Sequence, residues 1–167
     1  MDHGIGFKRV KAGISLAVML CAVFLLASCS GDKTKEADVT VDLGAVMESV
    51  SAYTSGEDMI DLSADELLSF YGIEESECAQ FAAKINVSGV SADEIVFIEA
   101  ANADAAQSVK EKLENRYKAK LNETKNYFPA EYEKIEAASV EQNGNFVSMV
   151  ISSDADEINA VYKAAFN

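Results

Sequence analysis

Cys29 carries the most definite chemistry in this chain of 167 residues. It closes Leu26-Ala27-Ser28-Cys29, a lipobox, in which small side chains lead to a thiol that can be joined to lipid as a thioether. The preceding segment has the order of a secretory signal. Lys8, Arg9 and Lys11 form a basic start, and residues 12–26 form an apolar run of 15, too short for a comfortable membrane span. Cleavage before Cys29 is therefore expected, with lipid on its sulfur holding the chain to the outer face of the plasma membrane. An ordinary secretory signal with a coincidental cysteine, or a short anchor helix, is the plainer alternative.

Other reactive groups are sparse. His3 is the only histidine and lies in the signal, so the processed chain of 139 residues has no imidazole for nucleophile activation or metal ligation. Cys21 leaves with the signal and Cys29 is taken by lipid, so Cys78 has no partner for an intrachain disulfide. Glu74, Glu75 and Glu77 beside it would raise its pKa, which favours a partly buried structural thiol over a redox one.

The carboxylates are numerous. Asp93-Glu94 precedes one expected strand, and Asp154, Asp156 and Glu157 follow another. Such clusters could hold Ca²⁺, but no D-x-D-x-D-G loop exists, and acidic residues at a helix start are favoured by its dipole. Two carboxylates suffice for glycoside hydrolysis, yet tryptophan is absent. A Ser-Lys dyad needs a buried lysine, and Lys84 and Lys110 fall on faces expected to be exposed. No catalytic residue, metal ligand or cofactor is expected. Tyr127, Phe128 and Tyr132 flank Pro129 off the regular apolar stripes and are the candidate contact patch. The other tyrosines read as core residues with rim hydroxyls.

Net charge is −14, and removal of the signal leaves 11 basic against 27 acidic residues, about −16. That disfavours nucleic acid and anionic lipid heads. A cationic partner or simple solubility fits it.

The elements that must position these residues follow from pattern. Residues 1–28 read as signal, 29–38 as lipidated cysteine and polar tether spanning ~15–18 Å as a random coil, and 39–167 as one α+β domain. Asp42 caps a helix with Leu43, Val46, Met47, Val50 and Tyr53 inward, stopped at Ser55-Gly56. Ser63 and Glu66 form a capping box before Leu67, Leu68 and Tyr71, and Gly72 ends that helix. Ala79, Phe81, Ala83, Ile85 and Val87 alternate as a half-buried strand, and residues 95–101 form a second strand, apolar on both faces.

Asn102 caps a long helix to about Thr124, with Ala106, Val109, Leu113, Tyr117 and Leu121 inward. Pro129 opens a short helix. Asn143-Gly144 between β-compatible runs predicts a hairpin. Ser153 caps a last helix with Ile158, Val161, Tyr162, Ala165 and Phe166 inward. Strand plus capped helix recurs at an offset of 51, a weak helix–hairpin–helix repeat. The expected fold is four mostly antiparallel strands in two hairpins, with helices on one face.

Tyr71-Gly72-Ile73, Asp93-Glu94-Ile95, Arg116, Tyr127-Phe128-Pro129 with Glu131, and Gly144-Asn145-Phe146-Val147 occur in this order behind the lipobox. Together they resemble domain of unknown function 4358, a family of small lipoproteins from Gram-positive bacteria, over residues 41–166. Phe146 departs from the tyrosine often found at its place. The resemblance implies a membrane-tethered extracytoplasmic domain and supplies no activity or catalytic residue. The functional expectation is a non-enzymatic binding or interaction module with an envelope protein partner. The alternatives are a small carboxylate-dependent envelope hydrolase and an accessory small-ligand receptor.

Overall fold

The computed structural model describes residues 40–54, 56 and 58–167. The signal, the lipobox with Cys29, the tether and Ser55 of the expected first helix stop lie outside them.

Helix α1 (Leu43–Ser49) starts where Asp42 accepts a hydrogen bond from the Ala45 amide, 3.0 Å. Val50 interrupts it, and a single turn, α2 (Ser51–Thr54), follows. The expected single helix is thus broken, and Tyr53 points to water rather than inward. Strand β1 (Met59–Asp61) is three residues long and had no counterpart in the sequence reading. Ser63 and Glu66 then form the expected capping box of α3 (Ala64–Tyr71). Gly72 ends that helix at φ 69°, a left-handed conformation that glycine adopts without strain. Leu67 and Tyr71 are buried, while Leu68 is exposed.

A 3₁₀ turn (Glu75–Glu77) leads into β2 (Cys78–Asn86), and β3 (Glu94–Ala100) returns beside it. Ala79 sits at a register shift and Val87 lies past the strand end, so both are exposed despite their place in the alternation. Helix α4 (Ala103–Thr124) begins where Asn102 accepts from the Ala105 amide, 2.9 Å. Helix α5 (Pro129–Glu136) has Pro129 in its first turn. Strands β4 (Val140–Asn143) and β5 (Phe146–Ile151) form the second hairpin. Helix α6 (Ala155–Ala164) ends the fold. Its N-cap is Asp154, not the expected Ser153, and the Ser152 hydroxyl accepts the Asp154 amide.

The sheet is antiparallel throughout, in the order β1-β2-β3-β5-β4. This is the expected α+β class with five strands instead of four. Helices cover both faces, not one. Ala83, Ile85, Val96, Ile98, Val147 and Met149 pack against α3, α4 and α5. Ile95, Phe97 and Val150 pack against α1 and α6. The cause is visible in β3, where Ile95, Val96, Phe97 and Ile98 put apolar groups on both sides, so each side must be covered. Helices α4 and α6 have 22 and 10 residues and pack on opposite faces. The offset of 51 therefore does not translate into one repeated packing unit.

The hairpin turn is displaced by one residue. Asn143 pairs with Phe146, so the two-residue loop is Gly144-Asn145 rather than Asn143-Gly144. Gly144 still takes positive φ, 58°, and a Cβ there would meet nothing within 4 Å. The cost of a side chain is therefore conformational alone. Gly144→Val is expected to lower stability by about 1–2 kcal/mol. An unchanged urea midpoint would contradict a left-handed residue at this turn.

Candidate functional site

Beneath one end of the sheet lies a buried ion cluster that builds the surface above it. Glu94 opens β3 on the parity of Val96 and Ile98, so its carboxylate points into the α4 side of the core and is fully buried. A buried carboxylate must be paired and hydrogen-bonded. Helix α4 supplies the partners on the continuation of its apolar stripe. Val109, Leu113, Arg116 and Lys120 are spaced four, three and four apart, one line down the helix. Arg116 donates from Nε, 3.2 and 3.3 Å, and from Nη2 to the Glu94 oxygens. Lys120 Nζ lies 2.8 Å from Oε1. The Tyr71 hydroxyl donates to Oε2, 3.2 Å, and its ring lies under the guanidinium at 5.7 Å.

The protonation states follow. Burial, then the Glu94 charge, push the Tyr71 phenol far above its usual range, so it remains a donor. Burial opposes the Arg116 charge, but its hydrogen bonds and ion pair with Glu94 outweigh that and raise its pKa.

A second cluster fixes the loop between β2 and β3. Lys134 on α5 bridges Asp93, 2.8 Å, and Glu131, 2.9 Å. Glu131 also accepts the Ala92 amide at 2.7 Å, and Lys120 donates to the Ala92 carbonyl at 2.8 Å. At the loop's start, Asn86 accepts from the Ser88 amide, and Gly89 turns the chain at φ 77°. Both backbone groups of Ala92 are thereby pinned to α4 and α5.

Above these pins the apolar groups face water. Phe128, the residue before Pro129, is 45% exposed and Tyr127 is 78% exposed. Val90 in the pinned loop is 69% exposed. Phe128 and Val90 line a notch of about 170 Å³ together with Ala92, Lys120, Glu123 and Glu131. Tyr132 does not join them. It lies half-buried on α5 with its hydroxyl donating to Glu136, 3.1 Å. Of the three aromatics singled out in the sequence, Tyr127 and Phe128 are exposed and Tyr132 is half-buried, and the exposed Val90 lines the notch with Phe128.

The remaining chemistry-bearing residues are accounted for by packing. Cys78 is half-buried; burial, then the Glu77 charge, push its thiol up to about 11, with Lys112 opposing. It stays protonated near neutral pH and is a poor nucleophile. Glu77 itself is held by Lys112, by the Ser108 hydroxyl at 2.8 Å and by the Glu74 amide at 2.8 Å. Lys84 pairs with Asp61 at 2.7 Å, and both it and Lys110 are half-buried rather than exposed as expected. Asp154, Asp156 and Glu157 start α6, where the helix dipole favours them.

Sequence reasoning weighed Asp93-Glu94 only as a carboxylate pair before a strand, a candidate for Ca²⁺, and missed the cluster. The missed signal was joint: a glutamate on the apolar parity of a strand, and two cations on the apolar stripe of a helix. Each is anomalous alone and the three explain one another.

The family model described as domain of unknown function (DUF4358) matches residues 51–152. No curated protein and no solved structure matches the chain. The matched span runs from α2 to just past β5 and contains both ion clusters and the notch.

Proposed function

We propose that this chain, a member of the DUF4358 family, is a lipid-anchored extracytoplasmic protein of the Gram-positive envelope whose role is non-enzymatic binding. The observation that carries the binding reading is the pair of aromatic rings held in water on a stiff support. Pro129 fixes φ and restricts Phe128 before it, and the two ion clusters immobilise the facing loop. A surface already ordered loses little entropy when it is covered, which favours recognition. The partner surface is a protein of the envelope that seats an apolar side chain against Val90 and Phe128. A carboxylate hydrolase is the weaker reading: Glu131 at the notch is already taken by Lys134 and the Ala92 amide.

The anchor rests on the lipobox, and its test is direct. Cys29→Ala is expected to abolish incorporation of a radiolabelled fatty acid and release the chain from membranes. Label retained by the variant would remove the lipoprotein reading. For the surface, a photo-crosslinker at Tyr127 is expected to give one discrete adduct in intact cells that Phe128→Ala abolishes. Adducts of the same yield and pattern in both would remove this surface from the proposal.

A further inference from the structure

At a different place on the molecule a strand edge is left open beside a cavity. Strand β1 is short because the chain leaves it at once for α3, where Ser63 caps the helix. It pairs with β2 only over Lys84–Asn86, and one more bond, from the Leu62 amide to the Ala83 carbonyl, closes the ladder. In antiparallel pairing, residues alternate in the side to which their backbone groups point. The Asn86 amide bonds to Asp93 beside β3, whereas Ala83 and Val87 bond toward the β1 side. By the same parity Phe81 presents its N–H and C=O to the β1 side, beyond the end of β1. Among the described residues no backbone bond from that side reaches it.

This open edge borders a cavity of about 380 Å³. Its walls include Phe81 and Ala83 from one parity of β2 and Ala82 and Lys84 from the other, so it runs along the strand edge and not over one face. Met47 and Thr54, from α1 and α2, also line it. Thr54 is 3% exposed, and its hydroxyl has no hydrogen-bond partner among the described residues. Buried hydroxyls are ordinarily paired. A buried hydroxyl left open and a strand edge left open at one cavity share a single complement.

We propose that an extended peptide segment docks here as a further strand along β2, exchanging main-chain hydrogen bonds with Phe81 and satisfying the Thr54 hydroxyl. Strand addition draws affinity from main-chain pairing and selectivity from alternate side chains. The alternate side chain on the α1 side would rest against Met47 and Ala82. The occupant is a peptide rather than a compact small molecule because a paired N–H and C=O on one residue match an amide backbone.

The test uses the whole chain in detergent and an acetylated, amidated peptide of alternating valine and threonine at roughly millimolar concentration, where weak peptide binding registers. NMR hydrogen exchange should find the Phe81 amide unprotected without peptide and slowed about tenfold or more with it. The same peptide N-methylated along one edge should have no effect. Thr54→Val should keep or raise the thermal midpoint, since it removes an unpaired buried hydroxyl, and should weaken the protection. Protection of Phe81 without peptide, no slowing at the highest concentration, equal action of the methylated peptide, or a lowered midpoint in Thr54→Val would each overturn the proposal.

Discussion

Arg116→Ala is expected to cost about 3 kcal/mol of unfolding free energy, a large effect for a polar residue. Removing one member of a buried ion pair costs roughly 3–5 kcal/mol, because the other charge is left in a poor solvent. The lower end applies because Lys120 and the Tyr71 hydroxyl still face Glu94. Arg116→Lys should not rescue it, since the native side chain donates from two nitrogens of one planar fork and an ammonium cannot reproduce that geometry. The double variant Glu94→Leu/Arg116→Leu should be less damaged than the two single losses combined, since the apolar pair leaves no stranded charge. Urea denaturation of the unsubstituted chain, Glu94→Leu, Arg116→Leu and the double variant closes a double-mutant cycle. Additive losses would show that Glu94 and Arg116 do not act as one unit.

The same cluster joins stability to the exposed surface. Lys120 holds Glu94 and the Ala92 carbonyl together, so weakening the cluster loosens the support of Val90. A variant that lowers stability at Arg116 should therefore also change exchange rates in residues 87–93, which Arg116 reaches only through Glu94 and Lys120.

Local rules made most of this fold legible. Asp42, Ser63 and Asn102 each sit where a side-chain oxygen can take the free amides of a first helical turn, and each does so. Pro129 and Gly72 mark a start and a stop for the reasons their backbones dictate. What pattern could not decide was pairing. β1 has three residues, too few for a period, and exists only because β2 offers it an edge. Asn143-Gly144 signals a hairpin, but cross-strand register selects Gly144-Asn145 as the loop. The second helical layer was foreshadowed by the unbroken apolar run in β3, since a strand that buries both faces needs cover on both.

The site divides in the same way. Tyr127 and Phe128 were legible as aromatics outside any stripe, and they are exposed. Tyr132 was grouped with them by proximity in sequence, but one turn of α5 separates it from Phe128 and turns it toward Glu136. Val90 could not be joined to Phe128 from sequence. Their adjacency depends on a loop held across the molecule by Glu131, Lys134 and Lys120, contacts between residues about 30 to 40 apart.

Two phenylalanines of this chain form a matched pair that separates packing from recognition. Phe97 is fully buried and stacks on Tyr162 with centroids 4.6 Å apart. Phe128 loses the same atoms on truncation but stands nearly half in water. Phe97→Ala is expected to cost about 3–5 kcal/mol, because it removes a large buried ring and leaves a cavity between β3 and α6. Phe128→Ala should cost less than about 1 kcal/mol, in keeping with a surface substitution away from the core. The order reverses in cells. Once corrected for the amount of folded protein, crosslinking at Tyr127 should survive Phe97→Ala and disappear in Phe128→Ala. If Phe128→Ala unfolds the chain as Phe97→Ala does, the ring is a core plug and the contact-surface proposal fails. If it leaves both stability and crosslinking unchanged, the ring faces water without a partner, and the binding role must be sought elsewhere on the molecule.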